Sequence, residues 1–248
     1  MTDPEQRSRV VKYSIILPIH NEAGNIPELI TRLRATMDAY AGRDNWEAIA
    51  VDDLSTDGSL AVLHQEVEQC PSLRVVHHTV NRGQTGGFET GFRHARGDIV
   101  VTMDADLQVL PEDVPLLLDK MSSGYDLVNA IRKKRQHETL IRFSSRLYNL
   151  LMRLFFQSPV IDAASNFTAT RTAYVRGLRL IENDHRYIIP IVRRRGARRI
   201  AEVRVRHEAR KHGRSKYGLS KAVSGTPELL RAWRRLRNGF YDRTDNRI

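Results

Sequence analysis

The stretch "DIVVTMDADLQ", Asp98 to Gln108, runs from an apolar core into two carboxylates one residue apart. A short continuous apolar run of this kind, preceded by a glycine, predicts a strand buried on both faces, as in a parallel sheet. Asp104 and Asp106 at its end would repel each other unless a cation or a partner stood between them. In an extended chain they point to the same side with Cα atoms about 6.5 to 7 Å apart, a spacing that holds one hard cation. Mg²⁺ and Mn²⁺ take oxygen ligands, and Mg²⁺ keeps room in its shell for water and substrate phosphates. The pair therefore points to a metal shared with a diphosphate.

Outward from this strand the same pattern recurs. "YSIILP" (13–18), "EAIAVDD" (47–53), "LRVVHH" (73–78) and "YDLVNA" (125–130) read as further buried strands. Between them lie "NIPELITRLRATMDAY", "SLAVLHQEVEQ", "TGGFETGFRHA" and "LPEDVPLLLDKM", all near helical spacing. Strand followed by helix, four times over, predicts a mostly parallel α/β sheet with crossover helices. Ligands of such sheets bind beyond the carboxyl ends of the strands. "PIHNE", "DDLSTDGS" and "DADLQ" all fall there, so Glu22, Asp52, Asp53, Asp104 and Asp106 are expected at one edge of one sheet. Any one of these clusters would serve as a cap or turn; three together exceed what capping needs.

The second half reads differently. "TLIRFSSRLYNLLMRLFF" (139–156) predicts a long helix with Leu140, Phe143, Leu147, Leu151 and Leu154 along one stripe. "NFTATR" and "RRIAEVRVRHE" predict short strands, and "YIIPIVRR" a short helix broken or started by Pro190. "TPELLRAWRRLRNGF" sets Leu229, Leu230, Trp233, Leu236 and Phe240 on one helical face among four arginines, which suits either an anionic membrane surface or packing on the domain.

Charge divides the chain in the same place. Residues 1–126 carry 11 Lys/Arg against 20 Asp/Glu, and residues 127–248 carry 29 against 9, so a balance of −9 meets one of +20. An acidic half suits cation binding; a basic half suits phosphates or an anionic surface. A nucleic-acid module built on the basic half is disfavoured, because the strand-end acids would repel a phosphate backbone. The single cysteine, Cys70, leaves no internal disulfide and no cysteine-based zinc cluster. No apolar run of about 18 residues occurs, so neither a signal peptide nor a membrane span is expected, and the chain is read as cytoplasmic and peripheral on the membrane.

Two other features carry chemistry. Gly83, Gly86, Gly87 and Gly91 do not match the GxGxxG dinucleotide spacing and are read as allowing a helix to approach the sheet or a ligand closely. In "RHEARKHGRSKYG" (206–218), Arg210, Lys211, Arg214 and Lys216 lie in a glycine-punctuated loop able to close over a phosphate.

Six motifs, "ILPIHNE", "VDDLSTDGS", "NRGQTGGFETGFRHARGD", "MDADLQVLPED", "DAASNFTATR" and "EVRVRHEARKHGRSKYG", follow one another across residues 13–218. In this order they resemble the family-2 glycosyltransferases of GT-A fold, and within them the polyprenyl-phosphate sugar transferases. The resemblance implies a single GT-A domain over 1–220, with a nucleotide and metal half (13–130) and an acceptor half (131–220), followed by a basic amphipathic helix and tail (221–248). It implies that Pro18, His20, Glu22, Val51, Asp52 and Asp53 cradle the nucleotide. Asp104, Asp106 and Gln108 would hold Mg²⁺ or Mn²⁺ and the diphosphate of a GDP- or UDP-sugar. Arg132, Arg142, Ser145, Arg210 and Lys216 would grip the phosphates of donor and polyprenyl-phosphate acceptor. Two departures fall in the nucleotide pocket: Leu54 replaces a common Gly, and His20 stands where Tyr is frequent.

Chemistry separates two acceptors. Transfer to a sugar hydroxyl needs a positioned carboxylate base, for which "ENDHR" offers Glu182 or Asp184. A lipid phosphate is already ionised and needs cations instead. The expected reaction is a single inverting displacement onto the phosphate, with the hydroxyl acceptor of polysaccharide synthesis as the alternative.

Overall fold

The computed structural model describes residues 11–132, 150–157, 159–163, 165–209 and 225–242. The apolar runs fold into the strands expected of them: β1 (Tyr13–Ile19), β2 (Trp46–Asp52), β3 (Leu73–His77), β4 (Ile99–Thr102) and β5 (Leu127–Arg132). Helices α1 (Ile26–Ala41), α2 (Ser59–Gln69), α3 (Gly83–His94) and α4 (Val114–Ser122) alternate with them. After β5 the chain is helical over 150–156 (α5), then forms β6 (Thr168–Arg171), α6 (Thr172–Val175), α7 (Ile188–Arg194), β7 (Ile200–Val205) and α8 (Gly225–Arg237). Pro190 lies in the first turn of α7, where its missing N–H costs nothing. Of the long helix expected over 139–156, only 150–156 lies within the described residues.

The seven strands make one sheet in the order β3-β2-β1-β4-β6-β5-β7. β1 pairs in parallel with β2 and β4, β2 with β3, and β5 with β7. β6 alone runs antiparallel, between β4 and β5. Alternation along β1 assigns the two faces: Ile15 and Leu17 meet Leu29, Leu33, Leu63 and Leu118 of α1, α2 and α4, while Ile16 meets the face covered by α3, α5, α7 and α8.

Glycine brings α3 close to the sheet. A methyl group at Gly91 would overlap the Ile16 side chain, and one at Gly87 would lie 2.9 Å from Pro18 Cβ. The glycines expected to allow close approach therefore do so toward β1, and the start of α3 is set down beside the strand ends.

Helix α8 uses its apolar stripe on the domain. Leu229 and Ala232 are buried, and Trp233, Leu236 and Phe240 pack against the second core. Burying a leucine of this kind contributes about 1.5–3 kcal/mol. Of the two readings the sequence left open for this face, packing on the domain takes up most of it.

Candidate active site

The carboxyl ends of β1, β2 and β4 are each turned by a non-glycine residue in the left-handed region: Asn21 (φ 59°), Leu54 (φ 58°) and Leu107 (φ 58°). Such residues cost on the order of 1–3 kcal/mol and concentrate at functional sites. Leu54 thus occupies a conformation that favours glycine, the residue from which it departs.

The first two turns are sewn together. Asn21 N–H donates to Ser55 Oγ at 3.0 Å, Thr56 N–H to Asn21 Oδ1 at 2.8 Å, Glu22 N–H to Ser59 Oγ at 2.9 Å and Ala23 N–H to Asp57 Oδ2 at 3.0 Å. His20 Nδ1–H donates to the Asp53 carbonyl at 2.8 Å. Asp53 is buried; its Oδ1 accepts His78 Nδ1–H at 2.8 Å and the Arg82 N–H at 2.7 Å, so it ties β3 and the start of α3 to β2. Asp52 is also buried and accepts His77 Nδ1–H at 2.9 Å on Oδ2, while its Oδ1 has no partner. Pro18 is half-buried against Gly87, and Val51 lies wholly within the core. Of the residues expected to cradle a nucleotide, His20, Glu22 and Pro18 are at the accessible edge; Asp52 and Asp53 sit behind them.

The third turn carries the DxD pair. β4 ends at Thr102, so the acids lie on a turn rather than on the extended strand the spacing suggested. Asp106 makes that turn itself, accepting Gln108 N–H on Oδ1 at 3.0 Å. Asp104 Oδ1 accepts Gln84 Nε2–H at 2.5 Å, and both its oxygens lie within hydrogen-bond reach of Asn166 Nδ2, at 3.5 and 3.4 Å. Gln108 holds the chain leaving β7, its carbonyl accepting Glu208 N–H at 2.9 Å. Among the described residues no group of three or more His, Cys, Asp or Glu forms a closed metal cage. Two hard carboxylates on one turn fit a divalent ion of the Mg²⁺ type, which completes its shell with water and phosphate oxygens.

Arg132, at the end of β5, donates through Nε and Nη2 to Asp162 at 3.0 and 3.1 Å. Burial works to lower its pKa, but Asp162, with Asp104 and Asp106 beyond it, raises it, which places the guanidinium in the field of the DxD pair. Arg142, Ser145, Arg210 and Lys216 lie outside the described residues.

The two candidate bases are engaged elsewhere. Asp184 is fully buried, accepting Ile181 N–H at 2.9 Å and Arg235 Nη2–H at 2.6 Å. Glu182 accepts Arg231 and Arg235, each at 3.2 Å. Burial favours a raised Glu182 pKa, but those two hydrogen bonds prevail and lower it. Both acids clamp α8 to the domain.

Several site residues carried no role in the sequence reading. Asp162 and Asn166 sit inside "DAASNFTATR", and Gln84 inside the glycine-rich motif, yet their types are ordinary at loops and caps. Only the antiparallel placement of β6 brings Asn166 to Asp104.

A profile of the family described as "Glycosyl transferase family 2" matches residues 14–179. The chain belongs to this glycosyl transferase family. It is 37% identical over 219 residues to the undecaprenyl-phosphate 4-deoxy-4-formamido-L-arabinose transferase of Edwardsiella ictaluri, covering 88% of this chain and 66% of that protein. The enzyme of the same name from Pseudomonas aeruginosa PAO1 is 36% identical over 213 residues, covering 85% and 62%. The chain thus spans just under two thirds of the length of these relatives.

Among solved structures, mannosyl-3-phosphoglycerate synthase from Rubrobacter xylanophilus matches with a TM-score of 0.70 at 18% identity, covering 92% of this chain and 74% of that one. Glucosyl-3-phosphoglycerate synthase from Mycobacterium tuberculosis, in complex with Mn²⁺, UDP and phosphoglyceric acid, matches at 0.69 and 19%, covering 91% and 78%. These likenesses bear on the fold, which is the GT-A arrangement expected from the six motifs.

Proposed function

We propose that this chain transfers a sugar from a nucleoside-diphosphate sugar to a polyprenyl phosphate, in a single inverting displacement that uses a divalent metal. The observation that carries the acceptor is the clamping of Glu182 and Asp184 against Arg231 and Arg235. Glu182, whose pKa the two arginines hold down, is a poor acceptor for a hydroxyl proton. Burial pushes the Asp184 pKa up, but that carboxylate is fully buried and bonded to Ile181 N–H and Arg235, out of reach of a substrate hydroxyl. Arg132, by contrast, stands in the field of the DxD pair, as a reaction between two anions requires. The names of the relatives, undecaprenyl-phosphate sugar transferases, support the same reading.

In this scheme the half over 13–130 takes the nucleotide and the half over 131–220 takes the acceptor. Asp104 and Asp106 hold Mg²⁺ or Mn²⁺ together with the donor diphosphate, with Gln108 beside them. When bound there, the metal would neutralise charge developing on the departing nucleoside diphosphate. Pro18, His20 and Glu22 border the nucleotide, and Asp53 holds the loop that carries them. Arg132 orients phosphate oxygens through its planar fork, and Arg142, Ser145, Arg210 and Lys216 add further contacts to donor and acceptor phosphates.

Access to a lipid acceptor is supported by an apolar patch. Leu150, Leu154 and Phe155 of α5 are exposed, and Phe155 meets Trp233 edge-on at 5.9 Å. Arg237 lies 4.9 Å over Trp233, and Arg153 and Arg234 are exposed nearby in sequence on the two helices. Aromatic and aliphatic side chains ringed by arginine suit an anionic membrane surface. No helix among the described residues is long and apolar enough to cross a membrane. Incubating the protein with UDP- or GDP-sugars, Mn²⁺ and undecaprenyl phosphate should give a sugar-lipid phosphate product. Product formed only on oligosaccharide acceptors would refute the proposal.

A further inference from the structure

A row of polar side chains crosses the sheet, and the proposed transfer leaves it without a role. Thr102 of β4 pairs with Thr168 of β6, Thr168 with Asn129 of β5, and Asn129 with Glu202 of β7. Residues directly opposed on neighbouring strands point to one face, so the four run in line from the strand that leads into the DxD turn to the last strand of the sheet. Thr102, Thr168 and Asn129 are buried, and Glu202 is half-buried. Leu127, two residues before Asn129 and on the same face, belongs to the second apolar core. Polar groups in such a place cost free energy unless their hydrogen bonds are made.

Both ends of the row hold the chain that leads into β6. At one end Thr102 Oγ1–H donates to the Asn166 carbonyl at 2.6 Å, and Asn166 reaches Asp104. At the other, Glu202 accepts Ile161 N–H on both carboxylate oxygens at 2.9 Å and Asp162 N–H on Oε1 at 3.3 Å. Asn129 Nδ2 donates to the Asp162 carbonyl at 2.9 Å and to Glu202 Oε1 at 3.1 Å. Both partners are acceptors, which fixes the orientation of the amide. Val160 and Ala163, on either side of this pair, are already buried in the second core. Apolar burial therefore keeps the segment on the domain, and what Glu202 and Asn129 add is the orientation of the peptide between Ile161 and Asp162.

That peptide carries the carboxylate that holds Arg132. Asp162 takes Nε–H and Nη2–H, one fork of the guanidinium, and leaves the fork of Nη1 and Nη2 for a phosphate. The Arg132 side chain stays 34% exposed, and Asp104 and Asp106 both act on its charge. An arginine preset in this way does not have to lose its rotamer freedom when substrate arrives.

Resting on the phosphate role proposed for Arg132, we propose that Glu202, assisted by Asn129, is a positioning residue for the transfer: it fixes the peptide that carries Asp162, and Asp162 presents the outer fork of Arg132 to phosphate. Glu202 and Asn129 touch no reacting atom and act only through this relay.

The test is whether the effect of Glu202 passes through Arg132. Initial rates on undecaprenyl phosphate, with Mn²⁺ and the UDP- or GDP-sugar that wild type turns over, are measured for Glu202→Met, Glu202→Gln and Asp162→Ala. Each is made alone and together with Arg132→Gln, and assayed below its melting transition. Misplacing Arg132 predicts losses of about 10- to 100-fold in kcat for Glu202→Met and Asp162→Ala. Glu202→Gln keeps an oxygen to accept Ile161 N–H and stays within about threefold of wild type. In the Arg132→Gln background each substitution costs less than about threefold more, because the group it positions is gone. Should Glu202→Met melt below the assay temperature, Glu202→Asp, which keeps the charge and shortens its reach by one methylene, is expected to show the same coupling. Equal losses with and without Arg132 would mean that Glu202 merely supports the fold, and wild-type rates for both Glu202→Met and Asp162→Ala would leave nothing to position; either outcome overturns the inference. A wild-type rate for Arg132→Gln alone would instead overturn the phosphate role of Arg132 on which the inference rests.

Discussion

Neutralising the acids at the head of α7 distinguishes a phosphate acceptor from a hydroxyl acceptor, and the structure supplies the magnitudes. Asp184→Asn keeps an acceptor for Ile181 N–H but removes the charge opposite Arg235, whose side chain is only 13% exposed. Weakening one buried, charge-assisted hydrogen bond costs about 1–3 kcal/mol. For a chain of this size that is a melting point lower by about 2–12 °C. Glu182 is 39% exposed, and a pair of that kind contributes about 0–1 kcal/mol, so Glu182→Gln should melt within about 4 °C of wild type. Well below the transition, both variants should transfer sugar to polyprenyl phosphate within about tenfold of wild type, because neither acid takes a proton. A true base would cost on the order of 10² to 10⁴ in rate. Arg132→Gln removes a cation from the field of Asp104 and Asp106 and should cost about 10² to 10³. Melting curves and initial rates on undecaprenyl phosphate, measured side by side, separate folding from chemistry. A Glu182→Gln protein that melts like wild type yet turns over more than a hundredfold slower, with Arg132→Gln nearly unaffected, would refute the reasoning and restore the hydroxyl acceptor.

Three other outcomes follow from the geometry. Asp106→Asn retains an acceptor for Gln108 N–H, so the fold should survive, while Mn²⁺ binding measured by calorimetry is lost and transfer falls by about 10² or more, as it does in excess chelator. Gly91→Ala forces a methyl into Ile16 and should lower stability by about 1–3 kcal/mol in urea titrations; an unchanged midpoint would mean that α3 is less tightly seated than the geometry requires. His185 is held neutral with its pKa pushed down to about 3, whereas an unfolded histidine binds a proton near its ordinary value of 6.5, so the unfolded state gains as pH falls between 6.5 and 3. Wild type should therefore lose up to about 2 kcal/mol more than His185→Gln on going from pH 6.5 to pH 5, and parallel stability profiles for the two proteins would contradict that burial.

The parallel half was legible in the sequence because a strand buried on both faces is an unbroken apolar run, and "YSIILP", "EAIAVDD" and "DIVVTMD" each became one. The antiparallel β6 was not placed, since "NFTATR" is short and its direction depends on partners distant in the chain. That placement matters more than its four residues suggest. It draws Asn166 to Asp104, carries Asp162 toward Arg132 and opens the pocket at His185. A linear reading registers acids that repel their neighbours, as at Asp104 and Asp106, but does not register polar residues that become partners only through topology.

The same limit applies to "ENDHR". Two acids in a basic half invite a catalytic role, and in the fold Glu182 and Asp184 answer the arginines of α8, a helix whose sequence suited a membrane surface and packing on the domain equally. Pairing there removes Arg235 from the surface while leaving Arg231, Arg234 and Arg237 exposed. The +20 balance of the second half is therefore not one field. Part of it locks the C-terminal helix to the domain, part rims the exposed Leu150, Leu154 and Phe155, and Arg132 ends β5 in the field of Asp104 and Asp106. On the proposed reading, a donor diphosphate at Asp104 and Asp106 would lie in the field of this cation, which already feels both acids. On that same reading, the division of charge along the chain would separate leaving group from nucleophile, with β5 as the boundary.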